Sequence, residues 1–198
     1  MISLPTRELL DLGFKNQELQ KVTYFISAIN PFFLNYNLLI DLCAGSGLCS
    51  LGFLYNGLVK QSLMVDKKIP LRFHKLQKLF DKYEIEYIEK SIYEKLDLST
   101  EKSFIVAIHP CSELGDKIIE IGLENEISFA IMPCCHKNQN LKYHLQNPPD
   151  SRLMLYKEKA DYFDLVRQRY IIENKRKCYW QEIPKKITQK NHILISPA

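Results

Sequence analysis

The chain has 198 residues, of which 46% are hydrophobic and 25% are charged, a composition typical of a globular protein. Its length fits one ordinary domain, so we expect a single domain over residues 1–198, with a helical segment at 1–30 and a core at 38–198. No apolar stretch approaches the roughly 20 residues that span a bilayer, and Arg7 and Glu8 interrupt the N-terminus before a signal-peptide core could form. We therefore expect a soluble, cytoplasmic protein.

The six cysteines are interpreted as reduced thiols, because a chain of this length does not need disulfides to fold. The net charge of +4 is unevenly placed: residues 151–198 carry 11 Lys and Arg against five Asp and Glu. This excess permits a polyanionic partner such as RNA at the C-terminal part, although a solvated helix face explains it at least equally well. The candidate phosphate-binding residues are Arg167, Arg169, Lys175, Arg176 and Lys177.

The first predicted element is a helix, capped by Asn16 and ending before Pro31, because apolar residues recur between them at helical spacing. Short, nearly continuous apolar runs follow, which are typical of strands buried on both faces of a parallel sheet. These runs lie at 38–40, 63–65, 104–108 and 129–132, with a weaker strand at 86–92. Helical patterns separate them at 48–58, 71–83 and 114–123.

The stretch 136–150 is polar and contains a Pro-Pro pair, so we predict a loop that could close over a substrate. A helix of about 18 residues through Tyr162 and Val166 is then predicted, followed by closing strands at 178–183 and 192–195. The alternation of strands and helices predicts an α/β doubly wound sheet.

The segment Asp41-Leu-Cys-Ala-Gly-Ser-Gly-Leu-Cys-Ser50 lies where the first predicted strand ends and a helix begins. Gly45 and Gly47 allow a tight turn and close approach to a ligand, and the helix N-terminus adds free N–H groups. Open α/β sheets bind ligands at such strand ends. A dinucleotide fingerprint would need glycine at Ser50, and a phosphate-binding loop would need Gly-Lys-Ser/Thr, so neither is favoured.

This segment resembles the first motif of the class I S-adenosylmethionine-dependent methyltransferases, which Asp41, Gly45 and Gly47 match. The resemblance implies a Rossmann-like fold, with a mostly parallel seven-stranded sheet whose last strand is antiparallel, and S-adenosyl-L-methionine as cofactor. It also implies that an acid ending the second strand binds the ribose; Asp66 lies 25 positions after Asp41. The alternative is that these acids only cap helices. The residues that the resemblance assigns to the cofactor are Asp41, Cys43, Ala44, Gly45, Ser46, Gly47, Asp66, Lys67, Ser91, Ile92 and His109.

Two further turns should open at the same edge of the sheet. The turn after the fourth strand begins His109-Pro-Cys111, and that after the fifth contains Cys134-Cys135-His136. Together with Leu114 and Asp116, these turns resemble the branch of methyltransferases that includes the tRNA position-four 2′-O-methyltransferases. That resemblance implies methyl transfer to an oxygen or nitrogen of RNA, with tRNA as a candidate. The catalytic candidates are His109, Cys111, Cys134 and His136, with His109 as base or positioning group.

Several alternatives stay open. Pro110-Cys111 and Cys134 are also similar to the cysteines of RNA cytosine-C5 methyltransferases, whose chemistry needs an activated thiolate. A metal site is not predicted, because adjacent cysteines match zinc-ligand spacing poorly. The chain could also be a non-catalytic cofactor-binding subunit, or methylate a protein or a small molecule. Neither DNA nor a membrane is expected as a partner, and the sequence does not predict an oligomeric state.

Overall fold

The computed structural model describes residues 2–111, 113–134 and 159–198. Ser112, Cys135, His136 and the predicted loop at 136–150 lie outside the described residues. Within the described part of the chain, no helix has both the length and the apolar character needed to cross a membrane.

Seven strands and six α-helices alternate through most of the described chain. The strands are β1 (Leu38–Leu42), β2 (Gln61–Asp66), β3 (Glu84–Glu89), β4 (Ser103–Ile108), β5 (Ser128–Met132), β6 (Tyr179–Glu182) and β7 (His192–Ser196). The helices are α1 (Thr6–Asp11), α2 (Asn16–Ile29), α3 (Leu48–Tyr55), α4 (Leu71–Phe80), α5 (Glu113–Glu124) and α6 (Lys159–Glu173), with a 3-10 turn at Asn30–Phe32.

The strands form one seven-stranded sheet in the order β3-β2-β1-β4-β5-β7-β6. Strands β1 to β5 are parallel, and β7 runs antiparallel between β5 and β6. This arrangement confirms the predicted fold class. Strands β1 to β5 all end at one edge of the sheet, which we call the carboxyl edge.

The continuous apolar runs are explained by burial on both faces of the sheet. In β4, Phe104 and Val106 pack on the face covered by α1 to α4, while Ile105 and Ala107 pack on the face covered by α5 and α6. Strand β3 alternates between exposed and partly buried residues, because it lies at the edge of the sheet. This edge position explains its weaker apolar pattern.

The N-terminal segment covers one face of the sheet through α2. Glycine at position 52 lets α3 approach α2 closely, because a Cβ there would lie 2.5 Å from the Cδ1 of Ile26. Asn16 is the first residue of α2 rather than its cap, and the N–H of Lys15 donates to Glu18 Oε2 at 2.8 Å. The predicted helix is therefore confirmed, with its cap one residue earlier.

Arg167 is fully buried and holds three elements together. Its Nε lies 2.6 Å from Asp116 Oδ1 on α5, and its Nη1 lies 2.9 Å from Asp164 Oδ1 on α6. The second oxygen of Asp164 lies 3.1 Å from Nδ1 of His192, which begins β7. The prediction that Arg167 contacts phosphate is therefore wrong: its charge is neutralised inside the protein.

The basic run at residues 175–177 lies at the edge of the sheet opposite to the carboxyl edge. The guanidinium of Arg176 donates to the carbonyls of Ile127, which precedes β5, and of Ser196 and Pro197, at the end of β7. Arg176 is thus a structural residue, and Lys175 and Lys177 lie beside it at the same edge. The candidate phosphate-binding residues Lys175, Arg176 and Lys177 therefore lie away from the strand ends at which the sequence predicts ligand binding.

Replacing Arg167 with Met is expected to lower the free energy of unfolding by about 3–5 kcal/mol, because two buried carboxylates lose their cation. Urea unfolding at pH 7 measures this loss. The matched control is Arg169→Met, which removes an ion pair to Glu173 whose side chains are 50% and 43% exposed. That variant should lose less than about 1 kcal/mol. Equal losses in the two variants would contradict a stabilising role for the buried cluster.

Candidate functional site

The candidate site lies between the ends of β1 and β4, where the chain order of the sheet reverses. A crevice forms at such a point because the connections from the two strands leave on opposite faces. The residues that follow the two strands, Cys43 and His109, both have left-handed backbones, with φ of 61° and 62°. This conformation costs of order 1–3 kcal/mol for a non-glycine residue and is concentrated at functional sites.

The glycine loop after β1 has the conformation that the sequence suggested. Gly45 and Gly47 have φ of 54° and 77°, in the region that favours glycine. There is also no room for a side chain at Gly47, since a Cβ there would lie 2.8 Å from the Sδ of Met64. Helix α3 begins at the next residue, Leu48, so its first N–H groups lie at the loop.

Asp66 and Tyr87 hold the loop from two neighbouring strands. The N–H of Gly45 donates to Asp66 Oδ2 at 2.9 Å, and the hydroxyl of Tyr87 donates to the carbonyl of Gly45 at 2.7 Å. Asp66 therefore lies where the sequence placed it, at the end of β2 beside the loop. Tyr87 was not predicted, because its role depends on the pairing of β3 with β2.

Asp41 is buried at the end of β1 and accepts two hydrogen bonds from Ser50. The Ser50 hydroxyl donates at 2.7 Å and its backbone N–H at 3.3 Å, both to Oδ2. Burial raises the pKa of Asp41 to about 7, although the Ser50 bonds act in the opposite direction. Since Ser50 lies in the first turn of α3, the carboxyl group also caps that helix, as the structural alternative suggested.

A cavity of about 200 Å³ opens between these elements. Its lining includes five predicted site residues: Asp41, Cys43, Ala44, Ser46 and His109. It also includes Glu18, Lys21, Val22, Leu48, Cys49 and Ile108, which were not predicted. The three residues of α2 could not be assigned from the sequence, because nothing in their local pattern shows that α2 lies over the end of β1.

Helix α2 contributes one acidic and one basic side chain, Glu18 and Lys21, to the lining of the cavity. Arg72 Nη1 donates to Glu18 Oε1 at 2.8 Å. Partial burial acts to raise the pKa of Glu18, but the hydrogen bonds from Arg72 and Lys15 outweigh it and lower the pKa overall. Glu18 is therefore ionised beside Lys21, and the cavity presents an anion and a cation together.

His109 forms the β4 side of the cavity. Its backbone N–H donates to the carbonyl of Met132 at 2.8 Å, which fixes the turn, and its Nε2 is buried with no hydrogen-bond partner among the described residues. Burial, aided by the charge of Lys21, lowers the pKa of His109 to about 4. The imidazole is consequently neutral at pH 7.

Cys111 and Cys134 lie together beside His109 but not on the lining of the cavity. Their Sγ atoms are 3.2 Å apart, and the Sγ of Cys134 lies 3.4 Å from the carbonyl oxygen of His109. The structure thus brings three of the four catalytic candidates together, while His136 lies outside the described residues. Across the described ranges, no group of three His, Cys, Asp or Glu side chains could hold a metal ion.

Ser91, Ile92 and Lys67 are not part of the cavity lining. Ile92 is buried in the core on the α5 side and also borders a second cavity, of about 310 Å³. The hydroxyl of Ser91 accepts a hydrogen bond from the N–H of Tyr93 at 3.3 Å. Lys67 is exposed directly after Asp66. Their predicted contacts with a cofactor therefore need a ligand that extends out of the cavity.

Replacing Asp41 with Asn should change how stability depends on pH. The folded pKa of about 7 exceeds the ordinary value of 3.8, so the unfolded chain loses the proton first. The contribution of Asp41 to the free energy of unfolding therefore falls as pH rises from about 4 to about 7, by up to about 1.4 kcal/mol per pH unit. Above that range the contribution is constant.

The stability of Asp41→Asn relative to wild type should accordingly improve between pH 4.5 and 7.5. Denaturant unfolding at intervals of one pH unit measures the difference. Asp97→Asn is the control, because that side chain is 91% exposed. A difference between Asp41→Asn and wild type that does not change with pH would contradict a raised Asp41 pKa.

Several solved structures similar to this chain are methyltransferases by name. No protein-family profile matches the chain, and no curated protein sequence is similar to it. The methyltransferase domain of bacterial CtHen1 is similar over 92% of this chain and 100% of its own, with a TM-score of 0.63 and 12% identity. The ribosomal protein L11 methylase of Lactobacillus delbrueckii subsp. bulgaricus is similar over 92% and 79%, with a TM-score of 0.58 and 15% identity.

A third structure holds a bound molecule. TrmK of M. capricolum, in complex with the cofactor product S-adenosyl-homocysteine, is similar over 92% of this chain and 67% of its own, with a TM-score of 0.51 and 12% identity. Such low identities are evidence about the fold alone. The similarity to these three structures, the strand order and the antiparallel β7 together show that this chain has the Rossmann-like fold of the class I methyltransferases.

Proposed function

We propose that this protein is a methyltransferase that binds S-adenosyl-L-methionine in the cavity between β1 and β4. The observation that carries the proposal is the glycine loop, held by Asp66 and ending in a cavity beside the buried Asp41. The fold supports it, since one similar structure holds the product of this cofactor.

The residues present fit the two ends of this cofactor. The cavity of about 200 Å³ is smaller than the roughly 300–1,000 Å³ of pockets for whole ligands, so it suits the amino-acid end. Lys21 can pair with the carboxylate of that end, and Asp41 and Glu18 can accept from its ammonium group. The nucleoside would extend past Gly45, where Asp66 can accept hydrogen bonds from ribose hydroxyls.

The cofactor supplies a methyl group on a positively charged sulfur, and an acceptor must be aligned with it. His109 is the proposed positioning residue, because it lines the cavity just after β4 and its buried Nε2 has no hydrogen-bond partner among the residues that the structure describes. With a pKa of about 4, its neutral imidazole is a weak base. We therefore assign it to hydrogen bonding with the acceptor rather than to removal of its proton.

The proposed acceptor is RNA, and the surface that supports it differs from the predicted one. The turn between β6 and β7 lies at the carboxyl edge and carries Lys185, Lys186 and Lys190. Gln17 Nε2 donates to the carbonyl of Ile187, which joins this turn to the beginning of α2. Lys15 lies directly before α2, and Lys21 lines the cavity. Together with the lysines of the turn, they offer positive charges that a phosphate backbone could contact.

Methylation of cytosine at C5 is less well supported. That reaction needs a thiolate that attacks the base inside the cleft. Cys111 and Cys134 contact each other, and neither lines the cavity. The geometry therefore favours an oxygen or nitrogen atom as the methylated position.

Asp66→Ala is expected to weaken binding of S-adenosyl-L-methionine by about 1–3 kcal/mol, or roughly 5- to 150-fold, because the Gly45 N–H and the ribose hydroxyls lose their acceptor. Isothermal titration calorimetry measures the affinity, and circular dichroism checks the fold. Asp97→Ala, at an exposed aspartate outside the site, is the matched control. Absence of cofactor binding by wild type, or equal affinities in the two variants, would refute the proposed cofactor site.

Replacing Lys185 and Lys186 together with Gln is expected to weaken binding of a tRNA transcript. Each lost phosphate contact should reduce the slope of log affinity against log salt by about 0.7–0.9. The control is the pair Lys175→Gln and Lys177→Gln, which removes the same charge from the opposite edge. Fluorescence anisotropy over a salt series measures both slopes. Equal slopes in the two double variants would exclude the β6–β7 turn as the RNA surface, and salt-independent binding by wild type would exclude RNA as acceptor.

A further inference from the structure

Among the cysteines that the structure describes, Cys111 and Cys134 differ from the other three. Burial raises the pKa of the Cys43 and Cys178 thiols to about 12 and that of Cys49 well above its usual value. These three thiols are protonated at neutral pH and poorly reactive. Cys111 is exposed and Cys134 is partly exposed, so oxidants in solvent can reach the pair.

The two thiols are close enough to be joined with little movement. Strands β4 and β5 are neighbours in parallel register, with Ile108 beside Met132, so the turns that follow them lie side by side. The Sγ atoms are 3.2 Å apart, against about 2.05 Å in a disulfide, so a shift of about 1 Å would bring them to bonding distance. Side-chain rotation and small motions of the two turns can supply such a shift.

We propose that Cys111 and Cys134 form a reversible disulfide that responds to hydroperoxides. The Cys111 thiolate attacks the peroxide oxygen, which gives a sulfenic acid and releases water or an alcohol. The Cys134 sulfur then attacks the sulfenic sulfur and displaces water. Two thiols lose two electrons and two protons in total, and the hydroperoxide is reduced by two electrons.

The disulfide would act on the turn that carries His109. The Sγ of Cys134 already lies 3.4 Å from the carbonyl oxygen of His109, and the His109 N–H is bonded to Met132 at the end of β5. A covalent link between the two turns therefore restrains the strained residue that lines the cavity. Reversible disulfides of this kind are characteristic of redox-sensing proteins in reducing compartments.

Peptide mapping tests the proposal without any assay of methyl transfer. The reduced full-length chain is treated with hydrogen peroxide, free thiols are blocked with iodoacetamide, and peptides are analysed by mass spectrometry without reduction. We expect one cross-link between the peptides containing Cys111 and Cys134, lighter by two hydrogen atoms than the two reduced peptides together and lost on treatment with dithiothreitol. Cys134→Ser should abolish this cross-link, whereas Cys135→Ser and Cys178→Ser should retain it.

Hydrogen exchange provides the second readout. Backbone amides of residues 105–111 should exchange more slowly in oxidised than in reduced wild type, and the difference should be lost in Cys134→Ser. A cross-link through Cys135 or to a second chain, or oxidation of Cys111 to sulfinic acid without a cross-link, would overturn the proposal. Equal exchange in the oxidised and reduced forms would overturn the restraint on His109. Both results stand apart from the proposed function, because neither requires cofactor or RNA.

Discussion

Burial of the parallel strands on both faces is the constraint on which the site depends. Residues such as Leu39, Ile40, Ile105 and Val106 are completely buried, so a charged group in the middle of the sheet would be costly. Polar chemistry is restricted to the ends of the strands, where side chains can reach solvent and helix N-termini. The reversal of strand order between β1 and β4 then opens one crevice at that edge, and the cavity lies there.

Within that crevice the loop after β1 is shaped by groups from several strands. Asp66 holds its N–H, Tyr87 holds its carbonyl, and Asp41 holds the first turn of the following helix. These contacts order the backbone before a ligand arrives, so ligand binding does not include the unfavourable entropy change of ordering the loop. Asp66 therefore has a structural task in the loop, which one of its oxygens supports directly.

The sequence was sufficient for features that depend on local pattern. Continuous apolar runs predicted the buried strands, and the positions of Gly45 and Gly47 predicted the turn. Features that depend on packing could not be predicted from the sequence. A charged residue in a helix looks the same in sequence whether it is exposed or, like Arg167, enclosed by Asp116 and Asp164. Similarly, Lys21 lies at the cavity because α2 packs on α3, and the residues next to Lys21 in the sequence do not reveal this packing.

The insertion of β7 between β5 and β6 has a consequence for synthesis of the chain. While the ribosome has not yet released residues 192–196, β5 has an open edge and β6 has no neighbour in the sheet. The edge of β5 belongs to a fully buried strand, Ser128–Met132, and therefore exposes apolar side chains and free backbone groups together. Such an edge can pair with other chains. The nascent protein is consequently exposed to aggregation until β7 emerges and pairs with β5, and chaperone binding at that stage would protect it.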